Sequence, residues 1–310
     1  FAAASACSGH TDTRTAAREV AESIHDRLAG RCDTVLVFAS FHHGSALLPA
    51  MDIVRTVLQP TASVALTTES VVTTGRELEG LPGIAAIGLR MPGVRVTPWI
   101  APPDQPVPIS RPEAIPERIG LAEDSRAVLL FGDPFSTPIT RLLPALDAAV
   151  GEAVVAGGLA SGASQPGHNV LMVDETATRA GVVGLTISGP VRLDTLVSQG
   201  CRPIGRPMVV TRTADEHIVL ELGGHPAMDM VEQMARELPE EQRQLLSKGL
   251  LVGHVIDETR RPLGRGNFLV RAIVGMDRDR RSVMMSDRVR PGQTVQFQAR
   301  DARTAEEDLQ

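Results

Sequence analysis

The sequence predicts an α/β (mixed α+β) protein, with mixed β-sheets, flanking helices and an internally repeated strand–helix–strand–strand unit. The repeat is the first observation behind this prediction. TVLVFAS (34–40) resembles AVLLFGD (127–133), and ALLPAMDIV (46–54) resembles RLLPALDAA (141–149). The second observation is that the apolar runs are short and continuous, which is typical of strands covered on both faces. With 43% hydrophobic residues, the chain can bury a sizeable core.

Each copy of the repeat continues in the same order. The first strand and its helix are followed by SVALTTES (63–70) or AVVAGGLAS (153–161), and then by GIAAIGL (83–89) or AGVVGLTIS (180–188). The units span about 32–98 and 125–197. The prolines of the LLPA segments suit the first turn of a helix. The proline-rich stretch 99–120 between the copies predicts an exposed connection.

A different pattern follows residue 205. The stretch 207–224 predicts a hairpin, 225–246 predicts helix interrupted at Pro239, and 267–301 predicts three strands joined by charged turns. The end of the chain, 304–310, has the pattern of a helix start that is cut short, with Thr304 and Glu307 as a capping box. We therefore predict an N-terminal portion, 1–197, and a C-terminal portion, 198–310, truncated at its end.

Composition argues against several functional classes. The net charge of −6 gives no global basic field for nucleic acid. No apolar run approaches the roughly 20 residues of a membrane-spanning helix. The three cysteines, Cys7, Cys32 and Cys201, show no zinc-ligand spacing and favour a reducing compartment. We predict a cytoplasmic protein without membrane insertion, nucleic-acid partner, cofactor or metal site; the oligomeric state is left open.

Two glycine-containing motifs could carry chemistry. In SQGCRPIG (198–205), Cys201 is either a nucleophile assisted by Arg202 and a histidine or a small buried residue in a tight turn. The candidate bases are His168, His217, His225 and His254. GGLASG (157–162) follows a strand, so its backbone N–H groups either cradle an anion or allow tight packing.

Polar residues also follow the first strand of each repeat. His42 and His43 follow the first copy, and Asp133 and Ser136 follow the second. In open α/β sheets, ligands bind at the carboxyl ends of the strands. These loops are therefore candidate ligand contacts, with ordinary polar loop residues as the alternative.

Across almost its whole length the chain resembles the FIST family of bacterial sensory domains. The matching motifs are GLTISGPVRLDTLVSQGCRPIGRPMVVT (184–211), DPFS (133–136), GGLASG (157–162), ELGGHPAMD (221–229), GRGNFLVR (264–271) and GQTVQFQARDARTAEEDL (292–309). The resemblance implies a non-catalytic signal-input domain that senses small metabolites such as amino acids.

On this basis we expect the protein to bind a small polar ligand that carries a carboxylate. The expected contacts are Ser198, Gln199, Arg202 and the backbone N–H groups of Gly157 and Gly158, with Cys201 packed beside them. Arg202 would pair with the carboxylate through two parallel hydrogen bonds. Two alternatives remain: a cysteine hydrolase or amidase that uses Cys201 and a histidine, and a scaffold that binds another protein and no metabolite.

Overall fold

The computed structural model describes residues 1–28, 30–196, 198, 200–246, 249–260, 262–264 and 266–308. It divides the chain into two compact units, Phe1–Thr195 and Leu196–Gln310. Both units combine helices with β-sheets, which confirms the predicted α/β class. No helix in the described ranges is long and apolar enough to cross a membrane.

The first repeat occupies the N-terminal part of the first unit. Its elements, in order, are β1 (Ala2–Ser8), α1 (Thr13–Leu28), β2 (Thr34–Ser40), the 3-10 helix Phe41–Ala46, α2 (Leu47–Leu58), β3 (Ala62–Thr68), β4 (Val71–Thr73), β5 (Arg76–Leu78) and β6 (Ile84–Arg90).

The second repeat follows in the same order. Its elements are β7 (Arg95–Ala101), the 3-10 helix Pro112–Ala114, α3 (Ile115–Arg118), β8 (Ser125–Gly132), α4 (Ile139–Ala149), β9 (Val154–Leu159), β10 (Leu171–Val173), β11 (Thr176–Thr178) and β12 (Val182–Ser188).

The structure adds a strand to the start of each predicted repeat. Each copy begins with a strand that pairs antiparallel with the last strand of the same copy: β1 with β6, and β7 with β12. The prediction that 99–120 is an exposed connection is wrong in part. β7 includes Trp99 and Ala101, and the later side chains of Ile115 and Ile119 are fully buried. These apolar residues anchor the proline-rich segment to the core of the second repeat.

The first unit contains two main sheets. One has the strand order β1-β6-β2-β3-β10-β11, and the other has the order β7-β12-β8-β9. The pairs β2–β3 and β8–β9 are parallel, which requires the crossover helices α2 and α4. The β10–β11 hairpin belongs to the second repeat but extends the sheet of the first, because Leu171–Val173 pairs antiparallel with β3.

The helices pack through apolar stripes at helical spacing. The buried positions of α2 are Leu47, Ala50, Met51, Val54 and Leu58, and they join the same core as the buried face of α1. Pro49 lies in the first turn of α2, as predicted. Pro144 instead lies inside α4, because that helix begins at Ile139, earlier than the repeat indicated.

The second unit is a single curved sheet with helices. Its elements are β13 (Cys201–Pro203), β14 (Met208–Thr213), β15 (Ile218–Leu222), β16 (His225–Pro226), α5 (Ala227–Glu237), α6 (Glu240–Leu246), β17 (Leu250–Val255), β18 (Phe268–Asp277), β19 (Ser282–Met285), β20 (Thr294–Arg300) and α7 (Ala302–Asp308).

The strand order in this unit is β13-β20-β14-β15-β19-β18-β17, and β17 also pairs with β20. The strands from β20 to β17 therefore form a closed ring around a core that α5 covers with its apolar face. The predicted hairpin, the helix interruption at Pro239 and the three strands after residue 267 agree with this arrangement.

The predicted helix start at Thr304 is wrong. α7 begins at Ala302, and Asp301 accepts hydrogen bonds from Arg303 N (3.2 Å) and Thr304 Oγ1 (3.1 Å).

Candidate functional site

A polar cleft of about 500 Å³ lies at the carboxyl ends of the parallel strands β2 and β3. Its volume falls within the roughly 300–1,000 Å³ typical of small-molecule sites. Four segments contribute to it: the 3-10 helix after β2, the end of β3, the long loop after β9 and the turn after β11. The lining residues are Phe41, Gly44, Ser45, Thr67, Gly162, Ala163, Ser164, Gln165, His168 and Arg179.

The loop after β9 reaches the cleft because Gly162 allows a close approach to β3. A Cβ atom at Gly162 would lie 2.7 Å from Thr67 Cβ and 3.0 Å from the backbone nitrogen of Thr68. The neighbouring Ser161 accepts a hydrogen bond from Glu69 N at 3.1 Å. The glycine of the GGLASG motif that lines the cleft is therefore the last one.

A buried chain of polar side chains supports this loop. Asn169 Nδ2 donates to Asp133 Oδ1 (2.9 Å), and Thr67 Oγ1 donates to Asn169 Oδ1 (3.2 Å). Ser136 Oγ donates to Asp133 Oδ2 (2.6 Å). Asp133 and Asn169 are buried, and these partners compensate the loss of hydration. The chain connects the carboxyl end of β8 to the wall of the cleft at Thr67.

The 3-10 helix on the other side of the cleft is anchored by a buried histidine. His43 is fully buried, and its Nδ1 lies 2.9 Å from Thr13 Oγ1. Burial lowers the pKa of His43, the charge of His42 lowers it further, and Asp12 opposes the shift. A neutral imidazole thus fixes the segment that presents Gly44 and Ser45.

The cleft carries a cationic group with unused hydrogen-bonding capacity. Arg179 Nη1 donates to Gly167 O (3.2 Å), and no carboxylate of a described residue forms an ion pair with it. His168, Gln165 and the hydroxyls of Ser45 and Ser164 lie on the same lining. A guanidinium with several amide and hydroxyl groups is suited to a small ligand with a carboxylate and further polar atoms.

The residues predicted around SQGCRPIG lie in the second unit. Arg202 Nη2 forms an ion pair with Asp301 Oδ2 at 2.9 Å, and the Asp301 side chain is only 6% exposed. Burial would raise the pKa of Asp301, but hydrogen bonds from Thr304 and the Arg303 backbone and the charge of Arg202 outweigh it and lower that pKa. This gives Arg202 a structural partner.

The neighbours of Arg202 are arranged along the same edge. Ser198 Oγ donates to Ala305 O (3.3 Å), and Cys201 is buried in β13 opposite Arg300. Gln199 lies outside the described residues. The role of this segment in ligand binding stays a prediction.

Gly157 and Gly158 lie in the first unit, on β9 at the edge of its sheet. Gly157 has φ +152°, and a Cβ there would lie 1.7 Å from Leu130 O. Gly158 is open, with nothing within 4 Å of a Cβ. Neither glycine lines the cleft, and their predicted contact with a ligand also stays a prediction.

The candidate histidine bases are dispersed. His168 lines the cleft, His217 and His225 are exposed near β15, and His254 is buried in β17. Burial lowers the pKa of His254. The hypothesis that Cys201 is a nucleophile assisted by one of them stays a hypothesis. Among the described residues, no group of three histidines, cysteines or carboxylates is placed to hold a metal ion.

Sequence reasoning identified two of the cleft's segments but missed its cation. The loop after β2 and the GGLASG motif were candidate ligand contacts, with polar loop residues and tight packing as the alternatives. Arg179 follows a three-residue strand of a hairpin with no motif of its own. Its proximity to β2 arises because that hairpin pairs with the sheet of the other repeat. A pairing between repeats leaves no local signal in the sequence.

Comparison with protein families identifies the chain. The model of the FIST N domain matches residues 33–225, and that of the FIST C domain matches residues 227–310. The chain belongs to the FIST family. FIST domains are described as sensory domains that bind small ligands. In this FIST protein, the cleft lies within the residues matched by the FIST N model. The ion pair of Arg202 joins the two matched regions, because Arg202 belongs to the FIST N match and Asp301 to the FIST C match.

Longer relatives of this chain occur in mycobacteria. This FIST protein is 31% identical over 306 residues to the uncharacterized protein Rv0628c of Mycobacterium tuberculosis. The aligned residues cover 96% of this chain and 76% of the relative. It is 32% identical over 302 residues to the uncharacterized protein Mb0898c of Mycobacterium bovis, with the same coverage of both chains.

Proposed function

We propose that this FIST protein is a non-catalytic signal-input protein of the bacterial cytoplasm, and that its first unit binds a small polar metabolite in the cleft between β2, β3 and the 162–168 loop. The ligand carries a carboxylate, as amino acids do. The observation that supports this most directly is Arg179, whose guanidinium lines a polar cleft and has no carboxylate partner among the described residues.

The surrounding groups give the carboxylate a second set of contacts. Ser45 approaches from the 3-10 helix after β2, and Gln165 and His168 approach from the opposite loop. Donors and acceptors on both walls favour a ligand with polar atoms at more than one end. The buried side chains of Asp133 and Asn169 lie beneath the loop and fix its conformation before the ligand binds. A preformed loop loses less conformational entropy on binding.

The test is a thermal-shift screen of the whole chain against amino acids and small organic acids. A ligand at about 100 times its dissociation constant adds about 2.7 kcal/mol to the unfolding free energy. Hits would then be titrated by calorimetry against Arg179→Ala. We expect affinity to fall about ten- to hundredfold, because a charge-assisted hydrogen bond contributes about 1.5–3 kcal/mol.

Two further arginine variants decide where the ligand binds. Arg126 is exposed on β8 outside the cleft, so Arg126→Ala is the matched control and should leave affinity unchanged. Arg202→Ala tests the site predicted around SQGCRPIG. Loss of binding in Arg202→Ala with no change in Arg179→Ala would refute the cleft proposal and favour the Arg202 site. A full panel without any hit would favour the scaffold alternative.

A further inference from the structure

A second, apolar pocket of about 290 Å³ lies in the first unit at the carboxyl end of β8. Its walls come from the proline-rich segment after β7, the loop after β8, the first turn of α4 and the start of β12. None of the lining residues is charged; they are Ala101, Pro102, Pro103, Pro106, Val107, Ile109, Ser136, Thr137, Pro138, Leu142, Gly181 and Val182.

The polar atoms of this pocket are already used by the protein. Ser136 Oγ donates to Asp133 and accepts from Gly181 N (2.8 Å). Thr137 Oγ1 donates to Gly181 O (3.0 Å). The hydroxyls therefore offer little to a ligand, and a charged ligand would lose its hydration without compensation. The pocket is suited to an uncharged, apolar guest.

The repeat indicates the shape of that guest. β2 and β8 are equivalent strands, and each finishes with an equivalent hydrogen bond. At the end of β2, Ser40 N donates to Gly83 O (2.8 Å); directly after β8, Asp133 N donates to Gly181 O (2.9 Å). His43 lies three residues after Ser40, and Ser136 lies three residues after Asp133.

In the first repeat, the imidazole of His43 lies between the segment after β2 and the segment after β1, where it contacts Thr13. It is fully buried. In the second repeat the corresponding residue is the small Ser136, whose hydroxyl turns towards Asp133. The position that carries a buried ring in the first repeat thus carries a small residue in the second, and that residue lines the pocket.

We propose that this pocket is a second ligand site, which takes a small uncharged ring such as a substituted benzene or an indole. Its volume is sufficient, since an apolar cavity of about 150 Å³ already accepts benzene. Leu142 and Val182 extend the pocket into the core of the second repeat, and the prolines of the outer wall restrict backbone motion. The site is therefore largely formed before binding.

Toluene and indole are the probes, titrated into the whole chain and followed by calorimetry and by ligand-observed NMR. Benzoate and benzylamine are the charged counterparts. We expect toluene and indole to bind at least tenfold more tightly than either charged compound. Equal or tighter binding of benzoate would overturn the proposal.

Ile109 is half-buried in the outer wall of the pocket. Ile109→Trp would fill the pocket with an indole side chain, so it should weaken toluene binding at least tenfold. Leu143→Trp is the control, because Leu143 lies on α4 but is 40% exposed and does not line the pocket. Arg179→Ala separates this site from the cleft and should leave toluene affinity within twofold. Toluene binding that Ile109→Trp does not change, or that Arg179→Ala abolishes, would refute the site.

A further measurement on the unmodified chain guards against a variant that fails to fold. Hydrogen exchange with and without indole should show added protection at residues 101–109 and 136–142. Protection confined to other segments would count against the proposal.

Discussion

The carboxylate of Asp133 is 1% exposed and has no cationic partner among the described residues. Its two oxygens accept from Asn169 and Ser136 instead. A buried charge is tolerated only when hydrogen bonds replace its hydration, so each partner matters to stability. Because Asn169 also accepts from Thr67, the same carboxylate positions a wall of the cleft.

Asp133→Ala should lower the unfolding free energy by about 3 kcal/mol, because it leaves the buried amide of Asn169 without its acceptor. Urea unfolding measures the change. Asp147→Ala removes an exposed carboxylate from α4 and should change stability by less than about 0.5 kcal/mol. Equal effects of the two substitutions would contradict the structural role of the buried chain.

His43 makes the stability of the first unit depend on pH. Burial lowers its pKa in the folded state, so between that pKa and the unfolded value of about 6.5 the unfolded chain binds more protons. The stabilisation is present above pH 6.5 and is lost as pH falls through this window. His43→Gln should flatten the loss measured by urea unfolding at several pH values, whereas His25→Gln, on an exposed side chain, should not.

Gly157 and Gly158 are neighbours on β9, but only Gly157 lacks room for a side chain. Gly157→Ala should lower the unfolding free energy by at least about 3 kcal/mol, because its Cβ would overlap the carbonyl oxygen of Leu130 at a positive φ. Gly158→Ala meets no atom within 4 Å and should stay within about 0.5 kcal/mol of the parent chain. Thermal and urea unfolding of both variants provide the comparison. A mild effect of Gly157→Ala would show that β9 adopts another backbone conformation.

The loop after β9 depends on its own glycine. Gly162→Ala would force the loop away from Thr67 and Thr68, so ligand affinity should fall about tenfold or more while most of the unfolding free energy is retained. Calorimetry with the best hit of the screen measures this effect. Gly158→Ala serves again as the control, because Gly158 lies on the strand that precedes this loop and does not line the cleft. Unchanged affinity in Gly162→Ala would mean that the loop does not shape the site.

At the scale of strands and helices, sequence patterns predicted the regular elements well where the buried residues are periodic or continuous. The strands and helices at 34–58 and 127–149 are examples, because each helix buries one apolar face and each strand packs alternate apolar residues into cores on its two sides. β1 was missed because AAASACS has small side chains and little β-propensity. The cleft was predicted only in part. GGLASG is a local signal, whereas Arg179 reaches the cleft through a pairing between repeats, which depends on contacts distant in sequence.

For the whole molecule, the two proposed positions of the ligand make different predictions. Hydrogen exchange with a saturating hit from the screen should show added protection at residues 41–46 and 162–169, which belong to the first unit. Residues 200–205 should be unchanged. Protection at 200–205 without a change at the cleft would instead support the site predicted around Arg202.

The pairing of β10 with β3 also affects the synthesis of the protein. β3 ends at Thr68, and the strand that covers its outer edge begins at Leu171, about a hundred residues later. At roughly 5–20 residues per second, a ribosome leaves that edge uncovered for about 5–20 s. An uncovered strand edge is a template for pairing with other chains. The nascent first repeat is thus most exposed to aggregation, and to chaperone binding, until the hairpin of its sister repeat has emerged.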